Sequence, residues 1–382
     1  MLESVLQKYM ALINTFKTEL EKPFIGREEE ALVITLALTT MEHVVLIGEP
    51  GTAKSAMARR AADLLKARFF KYLLTKYTEP DELLGPIDIV AFKEGRYARV
   101  TKGKLPEAEI AFLDEIFNAS SAILNTLLTL LNERVIYDGY NEIIAPLWTL
   151  IAASNNVPDE PEYQALYDRF LVRHFVKPVG EDKWSKLLDA AWRIEKEGYR
   201  APQPVISMSE LKQIYNFILD VDLSSIKQSL LRIYAVLEDH GIHLTDRRKG
   251  KTLKLIAAHA FLKGRMIAVE EDLFVLKYTV PSTREEADKV FAILLEELGS
   301  RERLIYELGE IESNLVEVKN YLAKTASFDP KLLEYLRGLE KTRERLERIA
   351  RETSDDKVAG KTRKLLVEIE ELIELIKERI IS

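Results

Sequence analysis

Apolar positions change period in a readable order along the first half of the chain. Leu2, Val5, Leu6, Tyr9, Leu12, Ile13, Phe16 and Leu20 recur at helical spacing and predict an amphipathic helix over 2–20. Pro23-Phe24-Ile25-Gly26-Arg27 breaks it, and a second helix is expected over about 28–40. The unbroken run Val44-Val45-Leu46-Ile47 reads as a buried strand, followed by a Gly-rich turn and an Ala-rich helical segment through Ala56, Ala58, Ala61 and Leu65. Further strands are expected at 69–74, 110–114, 147–152 and 172–176, with a helix over about 120–132. Residues 135–144, with Asp138-Gly139 at their middle, predict a β-hairpin. Pro80, Gly85, Pro86, Gly95, Gly103 and Pro106 make 75–107 loop-rich.

From 180 to about 295 the patterning is helical with no strong strand, interrupted by a loop at 198–204. After Gly299 the composition turns to Leu, Glu, Lys and Arg, and Leu304, Leu308, Ile311, Leu315, Val318 and Leu322 alternate spacings of four and three. Two more helices are expected at 330–352 and 361–381, separated by Ser354-Asp355-Asp356 and Gly360, the last again striped by Leu365, Ile369, Leu372 and Ile376. The expectation is an α/β unit over 1–179, an all-α unit over 180–295, and a C-terminal helical bundle or coiled-coil hairpin over 296–382, either core-forming or an arm for a partner.

Composition narrows the classes. At 382 residues, with 47% hydrophobic and 31% charged residues, the chain can build more than one folded unit. No apolar run approaches the roughly 18 residues of a membrane span, and Met1-Leu2-Glu3-Ser4 lacks a signal-peptide pattern, so a cytoplasmic protein is expected. The absence of Cys excludes disulfides, thiolate metal sites and thiol catalysis. A net charge of -7 argues against a nucleic-acid coat while leaving room for a local basic channel. His240 and His243 lie three apart with no carboxylate pair nearby, which is a poor metal set.

The chemistry concentrates at strand ends. In Gly48-Glu49-Pro50-Gly51-Thr52-Ala53-Lys54-Ser55, backbone N–H groups can converge on phosphate oxygens, Lys54 can reach the terminal phosphates, and Ser55 can ligate Mg²⁺ at the start of the helix that continues through Ala56. Ala53 stands where the usual pattern has its second Gly, and an ordinary strand–turn–helix connection is the alternative. Ile110-Ala111-Phe112-Leu113-Asp114-Glu115 ends an apolar run in two carboxylates, which suits a metal-shell Asp114 beside a water-orienting Glu115. Ala153-Ser154-Asn155-Asn156 offers an amide for the attacking water or γ-phosphate, or simply a turn before Pro158.

Taken in order, these segments together with Asp168-Arg169-Phe170 resemble a AAA+ ATPase of the MoxR group. The Ala-Lys-Ser loop, Leu84-Gly85-Pro86, Ala152-Ala153-Ser154-Asn155 and Leu244-Thr245-Asp246-Arg247-Arg248 resemble its RavA-like branch. The resemblance covers about residues 5–290. It implies a five-stranded parallel sheet sandwiched by helices, a helical lid, and a hexameric ring with ATP between subunits. By position it implies that Ile25 and Gly26 line the adenine, Asp114 and Glu115 serve metal and water, and Asn155 (or Asn156) is sensor 1. Arg169 matches the arginine finger, Arg247 (or Arg248) the lid's sensor 2, and 135–144 the clade's inserted hairpin. Arg169 paired with Asp168 on the surface, or a basic patch at 247–251, are the plainer alternatives.

The function expected is therefore ATP-driven remodelling or chaperone-like maturation of a protein partner, with Mg²⁺, the partner carrying a von Willebrand A domain by resemblance. Two rivals stand beside it: a AAA+ motor on nucleic acid, and a nucleotide-gated scaffold with little turnover.

Overall fold

The computed structural model describes residues 2–138, 141–198, 200–298, 300–324, 329–353 and 356–381. It divides into two compact units, 1–294 and 295–382.

In the first unit, helices α1 (Leu2–Glu21) and α2 (Glu28–Thr39) precede strand β1 (Val44–Ile47), and α3 (Lys54–Leu65) and β2 (Phe69–Leu73) follow. Short helices α4 (Pro80–Leu84) and α5 (Ile89–Lys93) lead to β3 (Ile110–Asp114) and α6 (Ser121–Glu133). A hairpin of β4 (Val135–Asp138) and β5 (Asn141–Ile144) comes before β6 (Thr149–Ser154), α7 (Pro161–Arg169) and β7 (Val172–Phe175). All five long-range strands are parallel, in the order β2-β3-β6-β1-β7. Central β1 and β6 are buried along their whole length, which is why their sequence is a continuous apolar run without alternation. Val45, Ile47, Ala111, Leu113, Leu150 and Ala152 form the core of one face. The carboxyl ends of β1, β3 and β6 therefore meet at one rim, where open parallel sheets place their ligands.

Residues beyond β7 are helical: α8 (Trp184–Glu197), α9 (Met208–Leu219), α10 (Lys227–Asp239), α11 (Asp246–Leu262), α12 (Leu276–Thr279) and α13 (Arg284–Glu297). Ser207 caps α9 and Thr245 caps α11, each accepting a backbone N–H of the first turn. In the second unit, α14 (Ser300–Lys324), α15 (Pro330–Glu352) and α16 (Asp356–Ile381) enclose one core, to which Leu308, Leu315, Leu332, Leu346, Ile369 and Ile376 contribute. The heptad stripes thus build a three-helix bundle rather than a two-helix hairpin. Among the described residues no helix is long and apolar enough to cross a membrane.

Four local expectations change. The 75–107 stretch holds two short helices, because Glu79 and Glu82 form a capping box for α4 and the Asp88 carboxylate caps α5. β6 starts at Thr149, two residues late, because Trp148 donates its backbone N–H to Glu109 (2.7 Å) and its indole to Leu38 (2.6 Å). α16 begins at Asp356 and runs through Gly360, whose exposed position needs no side chain for packing. In the hairpin, Asp138, expected at the turn, instead pairs with Asn141 as the last residue of β4, and the expected turn residue Gly139 lies outside the described residues.

Candidate functional site

The loop after β1 is shaped by three backbone positions. Gly48 donates to Ser154 at 3.0 Å, and a Cβ on it would come within 2.8 Å of the Val176 carbonyl, so the strand end admits only glycine. Gly51 adopts φ +81° and Ala53 φ +64°. Ala53 thus holds, with a side chain present, the left-handed conformation that favours the glycine it replaces. The turn delivers Lys54 and Ser55 as the first residues of α3, with the positive end of the helix at the loop.

Lys54 is buried, and its ammonium donates to the loop's own carbonyls at Gly48 (2.6 Å) and Glu49 (2.8 Å). Burial pushes its pKa down, against the pull of Asp114 and Glu115. A cavity of about 390 Å³ is lined by Pro50, Lys54, Ser55, Asp114, Glu115 and Asn155 among others. Asp114 ends β3 and accepts the Glu115 N–H at 3.2 Å. Glu115 turns away at φ +51°, and burial, then the Asp114 charge, push its carboxyl above the usual range. Asn155 follows β6 and donates its amide to Glu115 Oε1 at 2.7 Å. Asn156 does not line the cavity; its main chain is tied to the Ser154 hydroxyl at 2.7 and 3.3 Å. One hydroxyl and two carboxylates, from Ser55, Asp114 and Glu115, thus line one space beside an ammonium, a hard oxygen donor set that fits Mg²⁺ with phosphate.

A second cavity shares Pro50, Gly51, Thr52 and Ala53 with the first. Its walls are mostly apolar, from Phe24, Ile25, Pro178, Val179, Trp184, Leu187, Ala191 and Ile194, with Arg27 also lining it. Gly26 sits behind this wall at φ +72°, where a Cβ would press on Val179 at 3.0 Å. An apolar slot opening onto a phosphate loop has the chemistry for a nucleobase.

Arg169, Arg247 and Arg248 lie elsewhere. They line a small third cavity with Asp168, Leu171, Thr245 and Lys251, which shares no residue with the other two. Arg248 is buried and donates to the carbonyls of Leu171 (2.9 Å), Thr279 (2.7 Å) and Phe170 (3.0 Å), so its donors are committed to the fold. Arg173 is likewise buried, 4.0 Å from the Tyr167 ring centroid and bonded to Ser282, and burial drives its guanidinium down to about 10. Arg247 is exposed and donates to Asn132 at 3.2 Å. Arg169 stands 3.8 Å from Asp168, and its buried Nε has no partner among the described residues. Burial, then the nearby Arg247 charge, lower its pKa. His243 pairs with Glu238, and no metal-binding cluster of side chains is found among the described residues.

Two site features escape a reading of motifs. The α8 wall was available only as an amphipathic spacing of Trp184, Leu187, Ala191 and Ile194. Lys71 donates to Ser55 Oγ at 2.6 Å, a contact between β2 and α3 that no local pattern announces.

Residues 11–216 match the family model described as the MoxR domain in the MoxR-vWA-beta-propeller ternary systems, and 220–294 match a AAA lid domain. An uncharacterized protein of Methanocaldococcus jannaschii is 39% identical over 73% of this chain and 74% of its own length. The chaperone MoxR1 of Mycobacterium tuberculosis is 25% identical over 41% of each chain. The crystal structure of a presumptive ATPase from Cytophaga hutchinsonii superposes with a TM-score of 0.65 at 18% identity, covering 78% of this chain and 97% of that one, a likeness of fold.

Proposed function

The chain belongs to the MoxR family of AAA+ ATPases, and from that premise we propose an ATP-hydrolysing ring machine that remodels or matures a protein partner bearing a von Willebrand A domain. In this reading residues 1–179 are the nucleotide-binding core, 180–295 the lid and 296–382 a separate bundle. The RavA-like branch and a cytoplasmic, hexameric assembly belong to the same reading.

The observation that carries it is the separation of the phosphate-loop cavity from the cavity of Arg169 and Arg247. Phosphoryl transfer needs cationic donors on the γ-phosphate, yet Arg169 and Arg247, less committed than their neighbours Arg173 and Arg248, line a cavity apart from this chain's own loop. A neighbouring copy supplying them completes the site, which makes the ring part of the chemistry. Within one chain, Lys54 gives up its loop carbonyls for phosphate oxygens, the backbone of 48–53 cradles them, and Ile25 and the α8 wall take the base, with Gly26 backing that wall. Ser55 and Asp114 would hold Mg²⁺, which when bound offsets phosphate charge. Glu115 takes a proton from, and aligns, the attacking water, with Asn155 holding that carboxylate in place. The presence of both Asp114 and Glu115 favours turnover over a passive scaffold.

The von Willebrand A partner is supported by the description of the matching family model. Capture with the Glu115→Gln chain in ATP, followed by mass spectrometry, tests it. Recovery of such a partner, released on chase with ADP, is expected. ATPase stimulation by DNA or RNA with steep salt dependence, and no protein partner, would turn the reading to a nucleic-acid motor.

A further inference from the structure

Strand β2 carries a lysine whose charge is committed to no carboxylate among the described residues. The parallel register pairs Lys71 with Phe112 and Leu73 with Asp114, so Lys71 projects from the same face of the sheet as Asp114. Its ammonium lies 5.9 Å from the Phe112 ring centroid and donates to Ser55 Oγ at 2.6 Å. Ser55 is also the loop hydroxyl that lines the phosphate cavity with Asp114 and Glu115. Two ammonium groups therefore attend the loop, Lys54 on its carbonyls and Lys71 on the Ser55 hydroxyl.

We propose that Lys71 is a positioning residue that sets how strongly the site depends on a divalent cation: it competes with the cation for the Ser55 hydroxyl and must yield that oxygen for the metal to bind. The inference rests on the reading of Ser55 as a metal ligand. An ammonium and a divalent cation on the same oxygen repel, so Lys71 must turn away and its positive charge opposes metal binding. Its flexible four-carbon stem lets the ammonium turn from the hydroxyl to phosphate oxygens, where it is attractive. The two effects have opposite sign. Lys71 favours nucleotide without metal and weakens the response to metal.

The test is direct binding of N-methylanthraniloyl-ADP to the full chain by fluorescence, in EDTA and across a magnesium series. The chains compared are the unmodified protein, Lys71→Met, Lys71→Arg and Ser55→Ala. Lys71→Met should bind the nucleotide about three- to tenfold more weakly in EDTA and show a magnesium midpoint lowered by a similar factor. Lys71→Arg keeps the charge and should track the unmodified protein. No change in either quantity for Lys71→Met overturns the proposal, as does Lys71→Arg behaving like Lys71→Met. Ser55→Ala separates the premise from the inference: if magnesium dependence survives in it, the metal-ligand reading of Ser55 fails. If that dependence is lost while Lys71→Met is unchanged, only the role of Lys71 fails. Thermal unfolding checks each chain, and Lys71→Gln repeats the readout should the Met variant fold poorly.

Discussion

The Asn155 amide donates to Glu115 Oε1 across 2.7 Å, joining the ends of two neighbouring strands at the mouth of the phosphate loop. Parallel pairing of β3 with β6 brings the two termini together. The left-handed turn at Glu115 then swings its side chain back toward the amide, so the strain falls where a carboxylate must be aimed.

Glu115→Gln keeps the shape of this pair and removes the base. Phosphate release should fall by about 10²- to 10⁴-fold while nucleotide affinity stays within about threefold. Lys54→Ala should instead lose binding itself. Steady-state phosphate release beside fluorescent-nucleotide titration distinguishes the two, and near-normal turnover in Glu115→Gln would sink the assignment of that residue.

The pH profile carries a sign. Burial and the Asp114 charge raise the Glu115 pKa, and the ionised form is the active one. Turnover should therefore fall as pH is lowered through that raised value, on a limb lying above the ordinary carboxylate range. Asn155→Ala removes a donor that favours the ionised form, so its limb should move to higher pH. A limb that does not move with Asn155 removes the amide from this role.

How much of this was legible beforehand follows from whether the determinant is local. The strand runs, the loop from Gly48 to Ser55 and the carboxylate pair at Asp114 are contiguous, so each is legible locally, while the parallel sheet that joins them was implied by the family resemblance they carry. The choice between Asn155 and Asn156, or between Arg247 and Arg248, depends on which way one side chain turns. Arg248 is spent on four carbonyls from other segments, those of Asp168, Phe170, Leu171 and Thr279, which no spacing rule encodes. The Lys71 contact to Ser55 is illegible for the same reason. Strand β6 begins two residues after its apolar run does, because the Trp148 N–H goes to Glu109, just ahead of the pairing of Ile110 with Thr149.

Ala53 offers a stability test independent of function. A non-glycine residue at φ +64° pays a steric cost of about 1 kcal/mol, partly offset because Gly is more flexible when unfolded. Ala53→Gly should stabilise the first unit by roughly 0.5–1 kcal/mol, raising its unfolding midpoint by about 2 °C. A lower midpoint would mean that the alanine is not strained in solution.

The bundle of α14, α15 and α16 buries its own core, and α13 buries Val290, Ile293 and Leu294. A chain ending at Gly299 should fold and bind nucleotide with affinity within about threefold of the full protein, since neither cavity of the nucleotide site draws on the bundle. Insolubility or lost binding would move the boundary.

In the proposed ring one active site draws on two chains, and Arg169 would be the shared group. Its buried Nε lacks a partner among the described residues, and its cavity is not that of the phosphate loop. A guanidinium supplied by a neighbour would meet charge spreading over the γ-phosphate oxygens, an effect on the order of 10³ to 10⁵ in rate. Turnover per chain should accordingly rise with protein concentration as rings assemble. Arg169→Ala should bind ATP and hydrolyse it poorly. Mixed with Lys54→Ala, which keeps its finger but has no working loop, it should recover part of the lost rate, because one chain's intact arginine can face the other's intact loop. Phosphate release from each variant and from the mixture, with assembly followed by sedimentation, decides the matter. If assembled mixtures show no recovery, or Arg169→Ala alone is fully active, this arginine is not the shared group. Arg173, held against Tyr167 and Ser282, could not replace it, and exposed Arg247 would be the next to test.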